Sequence, residues 1–123
     1  MSYSFTHDTL GEAMILRAND GVTIEGIFET LGANTIYSEC GRLLSEGYDI
    51  RLDGNPRTFH HKIIIIDGAI VILGSFNFTN NADESNDENL LIVYDSKIAQ
   101  LYEQEYQLMK SQAFSPTGDS YSK

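Results

Sequence analysis

Apolar positions recur along this chain first at helical and then at strand spacing, and the alternation happens twice. Leu10, Ala13, Met14 and Arg17 fall at helical intervals, and Asn19-Asp20-Gly21 supplies a stop. A run follows in which Val22, Ile24, Gly26 and Phe28 alternate with polar residues, the period of a strand. The plan then repeats: Ile36, Cys40, Leu43 and Leu44 make an apolar stripe, Gly47 ends it, and residues 48–52 read as the next strand. Residues 2–6 read as the end of a strand that hands over to a helix near residues 6–8, where Thr6 and Asp8 are N-cap types. Asp53-Gly54-Asn55-Pro56 is dense in turn formers, so the chain loops there before re-entering the sheet. Residues 60–67 contain four consecutive isoleucines, residues 69–73 are again apolar, and an Asp-Gly turn between them predicts a hairpin of two central strands. Residues 80–86 read as a polar loop and 89–94 as a further strand. Ile98, Leu101, Tyr102, Tyr106 and Met109 mark a final helix. The whole predicts an α/β fold with a mixed, largely parallel central sheet flanked by helices. Residues 1–113 form one domain and 114–123 a polar C-terminal tail.

Composition narrows the class. A chain of 123 residues with 41% hydrophobic content and 13 aromatics (7 Tyr and 6 Phe) can bury a core, so a disordered acidic chain is excluded. The longest run of β-branched apolar residues, Ile63 to Ile66, is far short of the roughly 20 residues that span a bilayer. One cysteine, Cys40, excludes an internal disulfide and any zinc site built from several thiolates. Its place on an apolar stripe makes it a small buried hydrophobe. Eight Lys and Arg against 18 Asp and Glu leave a net charge of −10, which argues against a generic polyanion binder.

The chemistry is concentrated between the two central strands. There the sequence reads His60, one residue, Lys62, four residues, Asp67, six residues, Gly74-Ser75, one residue, Asn77. At roughly 5% per residue type, six fixed positions match by chance with a probability of about 10⁻⁶ over a chain of this length. The arrangement resembles the HKD motif of the phospholipase D superfamily and is intact at every fixed position. Asn86-Asp87-Glu88-Asn89 is similar to the Glu-Asn element that follows the motif in the small, single-motif, nuclease-like bacterial members. Tyr-Ser-Phe-Thr at 3–6, the turn at 53–56 and Ser75-Phe76-Asn77-Phe78-Thr79 also look like that subgroup. The resemblance runs from about Tyr3 to Met109. Family domains usually carry another strand and helix before the Tyr-Ser-Phe-Thr strand, so it implies a phospholipase D-like fold lacking its first strand and helix.

Strand residues two apart share a face, which groups His60 with Lys62 and Ser75 with Asn77. A phosphodiester is a poor electrophile wrapped in negative charge, and its hydrolysis needs a nucleophile, donors for the non-bridging oxygens and an acid for the leaving alkoxide. His60 is the expected nucleophile, forming a phosphohistidine. Lys62 and Asn77, supported by Ser75, are expected to hold the phosphate oxygens. Glu88 is expected to hydrogen-bond the other nitrogen of His60 and fix its tautomer. Asp67 has the opposite parity and is assigned a structural role at the turn. Gly74 is structural too, leaving room for close approach of a phosphate. His61 reads as a packed neighbour, His7 as a capping or surface residue, and Arg57 as a contact at the substrate rim.

The chemistry needs two histidines and the motif supplies one. In single-motif members two identical chains pair around one site, so the resemblance implies a homodimer with a second His60 from the partner chain. No metal or cofactor is expected, because Lys62 and the amide donors supply the charge compensation. The expected activity is that of a phosphodiester hydrolase, a metal-independent endonuclease acting on nucleic acid. The alternatives are a phospholipase D or cardiolipin-type lipid hydrolase, for which no amphipathic basic helix is visible, and a non-catalytic truncated dimerisation or binding module. No stable membrane insertion is expected. Compartment is left open: cytoplasmic if Met1 is the true start, periplasmic or secreted if an upstream signal has been lost.

Overall fold

The computed structural model describes residues 1–116. Its elements run α1 (Asp8–Asn19), β1 (Glu25–Phe28), α2 (Thr30–Ala33), α3 (Glu39–Ser45), β2 (Asp49–Leu52), β3 (Ile63–Ile66), β4 (Ile70–Gly74), α4 (Asn80–Glu84), β5 (Leu90–Tyr94) and α5 (Ser96–Gln112). β1 and β2 pair in parallel, while β3, β4 and β5 form an antiparallel meander. Residues 1–3 join the two groups. Ser2 bridges Phe28 in parallel and Lys62 antiparallel, and Ser2 N–H donates to Ile27 while Tyr3 N–H donates to His61. The strand order across the molecule is therefore β2, β1, residues 1–3, β3, β4, β5.

The mixed α/β architecture is as expected, but the balance of strand directions is not. β3 and β4 are antiparallel partners, the hairpin predicted from the sequence, and β5 joins β4 antiparallel as well, so the sheet is not largely parallel. The Asp-Gly turn makes the hairpin. Asp67 and Gly68 have φ of 53° and 60°, positive φ at both central positions is the pattern of a type I′ hairpin turn, and Ala69 N–H closes it on the Ile66 carbonyl at 3.0 Å.

Other boundaries move for local reasons. The second long helix begins only at Glu39, because Ser38 caps it by accepting the Cys40 N–H at 3.2 Å. Ile36, assigned from the sequence to its apolar stripe, is 76% exposed in the preceding loop. The polar stretch 80–86 contains α4, started by the Thr79 hydroxyl, which accepts the Ala82 N–H. At the other end, Phe114 was assigned to the tail but exchanges two backbone hydrogen bonds with Leu52, extending the sheet. The rest of that tail, from residue 117, lies outside the described residues.

Two cores flank the sheet. On one side Phe5, Phe28, Cys40, Leu43, Ile50, Leu52 and Phe78 pack with Leu10, Met14 and Ile15 of α1. On the other, α5 lays Tyr106 and Met109 against Ile27 and Phe59, and Ala99 against Ile63 and Val71. Cys40 is fully buried, and burial pushes its thiol up to about 12, as expected of a packing residue. α5 faces the odd-numbered residues of β3 and β4. By alternation, the opposite face carries Ile64, Ile66, Ile70, Ile72, Leu90, Ile92 and Tyr94. That face is apolar throughout, yet Ile92 is 52% and Tyr94 77% exposed.

Candidate active site

The motif residues collect where β3 begins and β4 ends. β3 starts at Ile63, so His60 and His61 belong to the preceding loop and not to a strand, and Lys62 enters the sheet through its bridge to Ser2. His60 and Lys62 converge nonetheless. Lys62 Nζ lies 3.2 Å from Nδ1 and 3.3 Å from Nε2 of His60, and donates to the His60 carbonyl at 3.0 Å. Lys62 is only 8% exposed, and burial lowers its pKa, with the Glu88 charge partly opposing. His60 itself is exposed and open to substrate.

Tyr3 completes this group, and sequence reasoning missed it. Its ring centroid is 4.5 Å from that of His60, and Lys62 Nζ sits 5.1 Å from the same ring. Fifty-nine positions separate Tyr3 from Lys62 in sequence; the only trace was the Tyr-Ser-Phe-Thr string itself.

Ser75 and Glu88 meet across the β4–β5 connection. The Ser75 hydroxyl donates to Glu88 Oε2 and accepts the Asn89 N–H at 3.1 Å, while Asn86 donates to Glu88 Oε1 at 3.0 Å. These two hydrogen bonds, Ser75 first, hold the Glu88 carboxyl below its usual range. The expectation that Glu88 bonds His60 is corrected here: both its oxygens are engaged by Ser75 and Asn86, and it reaches the cationic group only through the charge of Lys62. Gly74 is required by sterics, since a Cβ there would lie 2.2 Å from the Asn89 carbonyl oxygen. What approaches Gly74 closely is Asn89, not an open space reserved for phosphate. Asn77 lies beyond the end of β4, half-buried, with its side-chain carbonyl buried and unpartnered.

The remaining candidates separate from the site. Asp67 is in the hairpin turn at the other end of β3 from Lys62. The His61 ring packs 4.7 Å from that of Phe59, and burial is the main cause lowering its pKa. His7 occupies the α1 N-cap without a side-chain cap bond, its Nε2 3.6 Å from Asp83. Arg57 is exposed on the loop that leads to His60, its N–H donating to Asn55. Among the described residues no group of three or more His, Cys, Asp or Glu gathers as a metal site, and no helix is long and apolar enough to cross a membrane.

Comparison with known proteins identifies the family and the fold. Residues 1–110 match the family described as cardiolipin synthase, PLD-like domain. The mitochondrial cardiolipin hydrolase of Xenopus tropicalis is 33% identical over 105 residues, 85% of this chain and 50% of that protein. Phospholipase D of Rickettsia prowazekii is 32% identical over 105 residues, 85% of this chain and 51% of its own. The chain thus spans about half the length of the curated relatives it matches. Among solved structures, Nuc from Salmonella typhimurium, described as a phospholipase D family member, gives a TM-score of 0.87 at 27% identity over 96% of this chain and 80% of Nuc. NucT from Helicobacter pylori gives 0.85 at 29% identity, covering 94% of this chain and 79% of NucT. With the matched family spanning nearly the whole described fold, the chain belongs to the phospholipase D superfamily of PLD-like domains.

Proposed function

We propose that this chain is a phosphodiesterase that cleaves nucleic acid through a phosphohistidine on His60, with Lys62, Ser75 and Asn77 binding the phosphate. The observation that carries the reading is the contact of Lys62 Nζ with both ring nitrogens of His60. An ammonium only donates and a neutral imidazole has one nitrogen that accepts, so in the resting site Lys62 Nζ caps whichever ring nitrogen is unprotonated. An incoming phosphate oxygen competes for the ammonium, and that exchange frees a ring nitrogen to attack phosphorus. The new N–P bond forms as the bond to the leaving alkoxide breaks, and the alkoxide takes a proton from a second imidazole. Water then attacks phosphorus, the N–P bond to His60 breaks as the new O–P bond forms, and the water gives a proton back to that imidazole. The second group is His60 of a partner copy, so the working enzyme is a homodimer. Lys62 supplies the charge compensation throughout.

The test is cleavage of plasmid and single-stranded DNA and of RNA in excess chelator. Activity that survives chelation and falls at least about 10³-fold in His60→Ala is expected for a nucleophile; an unchanged rate in that variant sinks the assignment.

A second reading, hydrolysis of a phospholipid headgroup, is favoured by the apolar face. Lys62 shares its side of the sheet with Ile64, which packs into the Phe5 and Phe28 core, and farther along the same face Leu90 and Ile92 are exposed. Acyl chains could lie there. Hydrolysis of phospholipid vesicles with no cleavage of nucleic acid would replace the first reading by this one.

A further inference from the structure

Glu29 is a carboxylate in an unfavourable place. It follows β1, is 7% exposed, and lies near a second buried acid, Asp53, whose carboxyl is pushed up first by burial and also by the Glu29 charge. Burying a carboxylate is costly unless its oxygens are satisfied, and those of Glu29 are taken by backbone groups. Oε1 accepts the Leu31 N–H at 3.4 Å, and Oε2 accepts the Phe59 N–H in a short hydrogen bond. Phe59 immediately precedes His60. On the other side of the histidine, the His61 carbonyl accepts the Tyr3 N–H at 2.7 Å, and the Glu29 N–H donates to the Ser2 carbonyl at 3.0 Å. Ser2, Tyr3, His61, His60, Phe59 and Glu29 therefore form a closed circuit. Its members are tied at backbone level everywhere except at the Glu29 side chain.

We propose that Glu29 is a positioning residue for the reaction, its carboxylate clamping the Phe59 N–H so that the His60 imidazole is held beside Lys62 and Tyr3, from where it attacks once phosphate has drawn the ammonium away. The inference rests on the phosphodiesterase reading above. His60 lies on a loop with no strand pairing of its own, so nothing else on its N-terminal side fixes it as directly. Without the acceptor the loop keeps its Phe59 side chain in the α5 core but loses the backbone anchor next to the nucleophile.

The full chain is compared with Glu29→Ala, Glu29→Gln and a control, Ile50→Val, which trims the core on the other face of the sheet. The probe is bis(p-nitrophenyl) phosphate in chelator, with amide hydrogen exchange measured at Phe59 and His60. For Glu29→Ala, kcat should fall about 100-fold with KM within about threefold of wild type, because misplacement of a reacting group acts on the transition state. Glu29→Gln should recover to within about tenfold, since its amide oxygen can still accept from Phe59. Ile50→Val should leave kcat within about threefold, as a core trim far from the chemistry should. Exchange at Phe59 should quicken at least about tenfold in Glu29→Ala and stay unchanged in the control. The proposal is overturned if Glu29→Ala matches the control in kcat, if Glu29→Gln is as impaired as Glu29→Ala, or if Phe59 exchange does not change. A wild-type protein inert on the diester would instead sink the phosphodiesterase reading, and the exchange data would still decide whether the clamp exists.

Discussion

Lys62 has a lowered pKa, and the cause has a measurable consequence. Burial disfavours the ammonium, so under the proposed function the charge assigned to phosphate binding is lost at a pH below the ordinary lysine value of about 10.4. The alkaline limb of the kcat/KM profile is expected to fall below that value. In Lys62→Arg the limb should move out of the accessible range, while peak activity drops about tenfold because a planar guanidinium does not replace a compact ammonium. A limb that stays in place in the variant would remove Lys62 from the phosphate site. At this scale the sequence spoke clearly where spacing alone implied proximity, as for His60 and Lys62. It was silent on Tyr3 and Glu29, which lie 57 and 31 positions from His60 (60 − 3 and 60 − 29) and are brought there only by sheet pairing. For Glu88 the sequence placed a carboxylate near the motif but not its partners, because a carboxylate two residues before β5 can turn to any nearby donor, here Ser75 and Asn86.

At the scale of elements, the attachment of α5 combines apolar packing with an electrostatic lock at the start of β1 and β2. Lys110 Nζ lies 2.7 Å from Glu25 and 2.8 Å from Asp49, Arg51 donates to Asp49 at 2.9 Å, and the Tyr106 hydroxyl donates to Glu25 at 3.0 Å. Glu25 is lowered mainly by its bond to Lys110, and Asp49 by its bonds to Arg51 and then Lys110. Depressed carboxylate pKa values give stability that is present above the unfolded values, about 3.9 and 4.3, and is lost as pH falls through the folded ones. Denaturant unfolding monitored from pH 6 to pH 2.5 should therefore show an acid decline that is shallower in Lys110→Met. At pH 6 the variant should lose about 1 kcal/mol, the modest size expected of solvent-screened pairs. An identical acid decline in both proteins would mean the lock contributes nothing. Elements with their own punctuation were readable in advance: the Asp-Gly hairpin, α1 and α5 all carry local signals. α2 and α4 did not, being four and five residues long and free of apolar periodicity. The expected predominance of parallel pairing failed for another reason: β5 joins β4 antiparallel across the 75–89 connection, and nothing in its residues 90–94 carries a signal of direction.

For the whole molecule, the net charge of −10 and the bare isoleucine face pull in opposite directions. Charge keeps copies apart, whereas β5 is, among the described residues, an edge strand of its sheet, with Leu90, Leu91, Ile92 and Tyr94 exposed and no charged residue between them. Screening the charge with salt should favour association of copies, and light scattering should register it. Ile92→Lys is expected to suppress that association and to weaken binding to phospholipid vesicles. Association that rises equally in the variant would show that this face is not responsible.

The strand made by residues 1–3 sits between β1 and β3 and carries one wall of the histidine site. Viewed as an assembly, those residues are a ligand that the rest of the chain binds by β-augmentation. The free energy that docks them is the same free energy that brings Tyr3 to His60 and Ser2 to Lys62. Docking of residues 1–3 and assembly of the His60, Lys62 and Tyr3 group are then one equilibrium, and under the proposed function an agent that competes for the slot between β1 and β3 is expected to inhibit without touching the substrate.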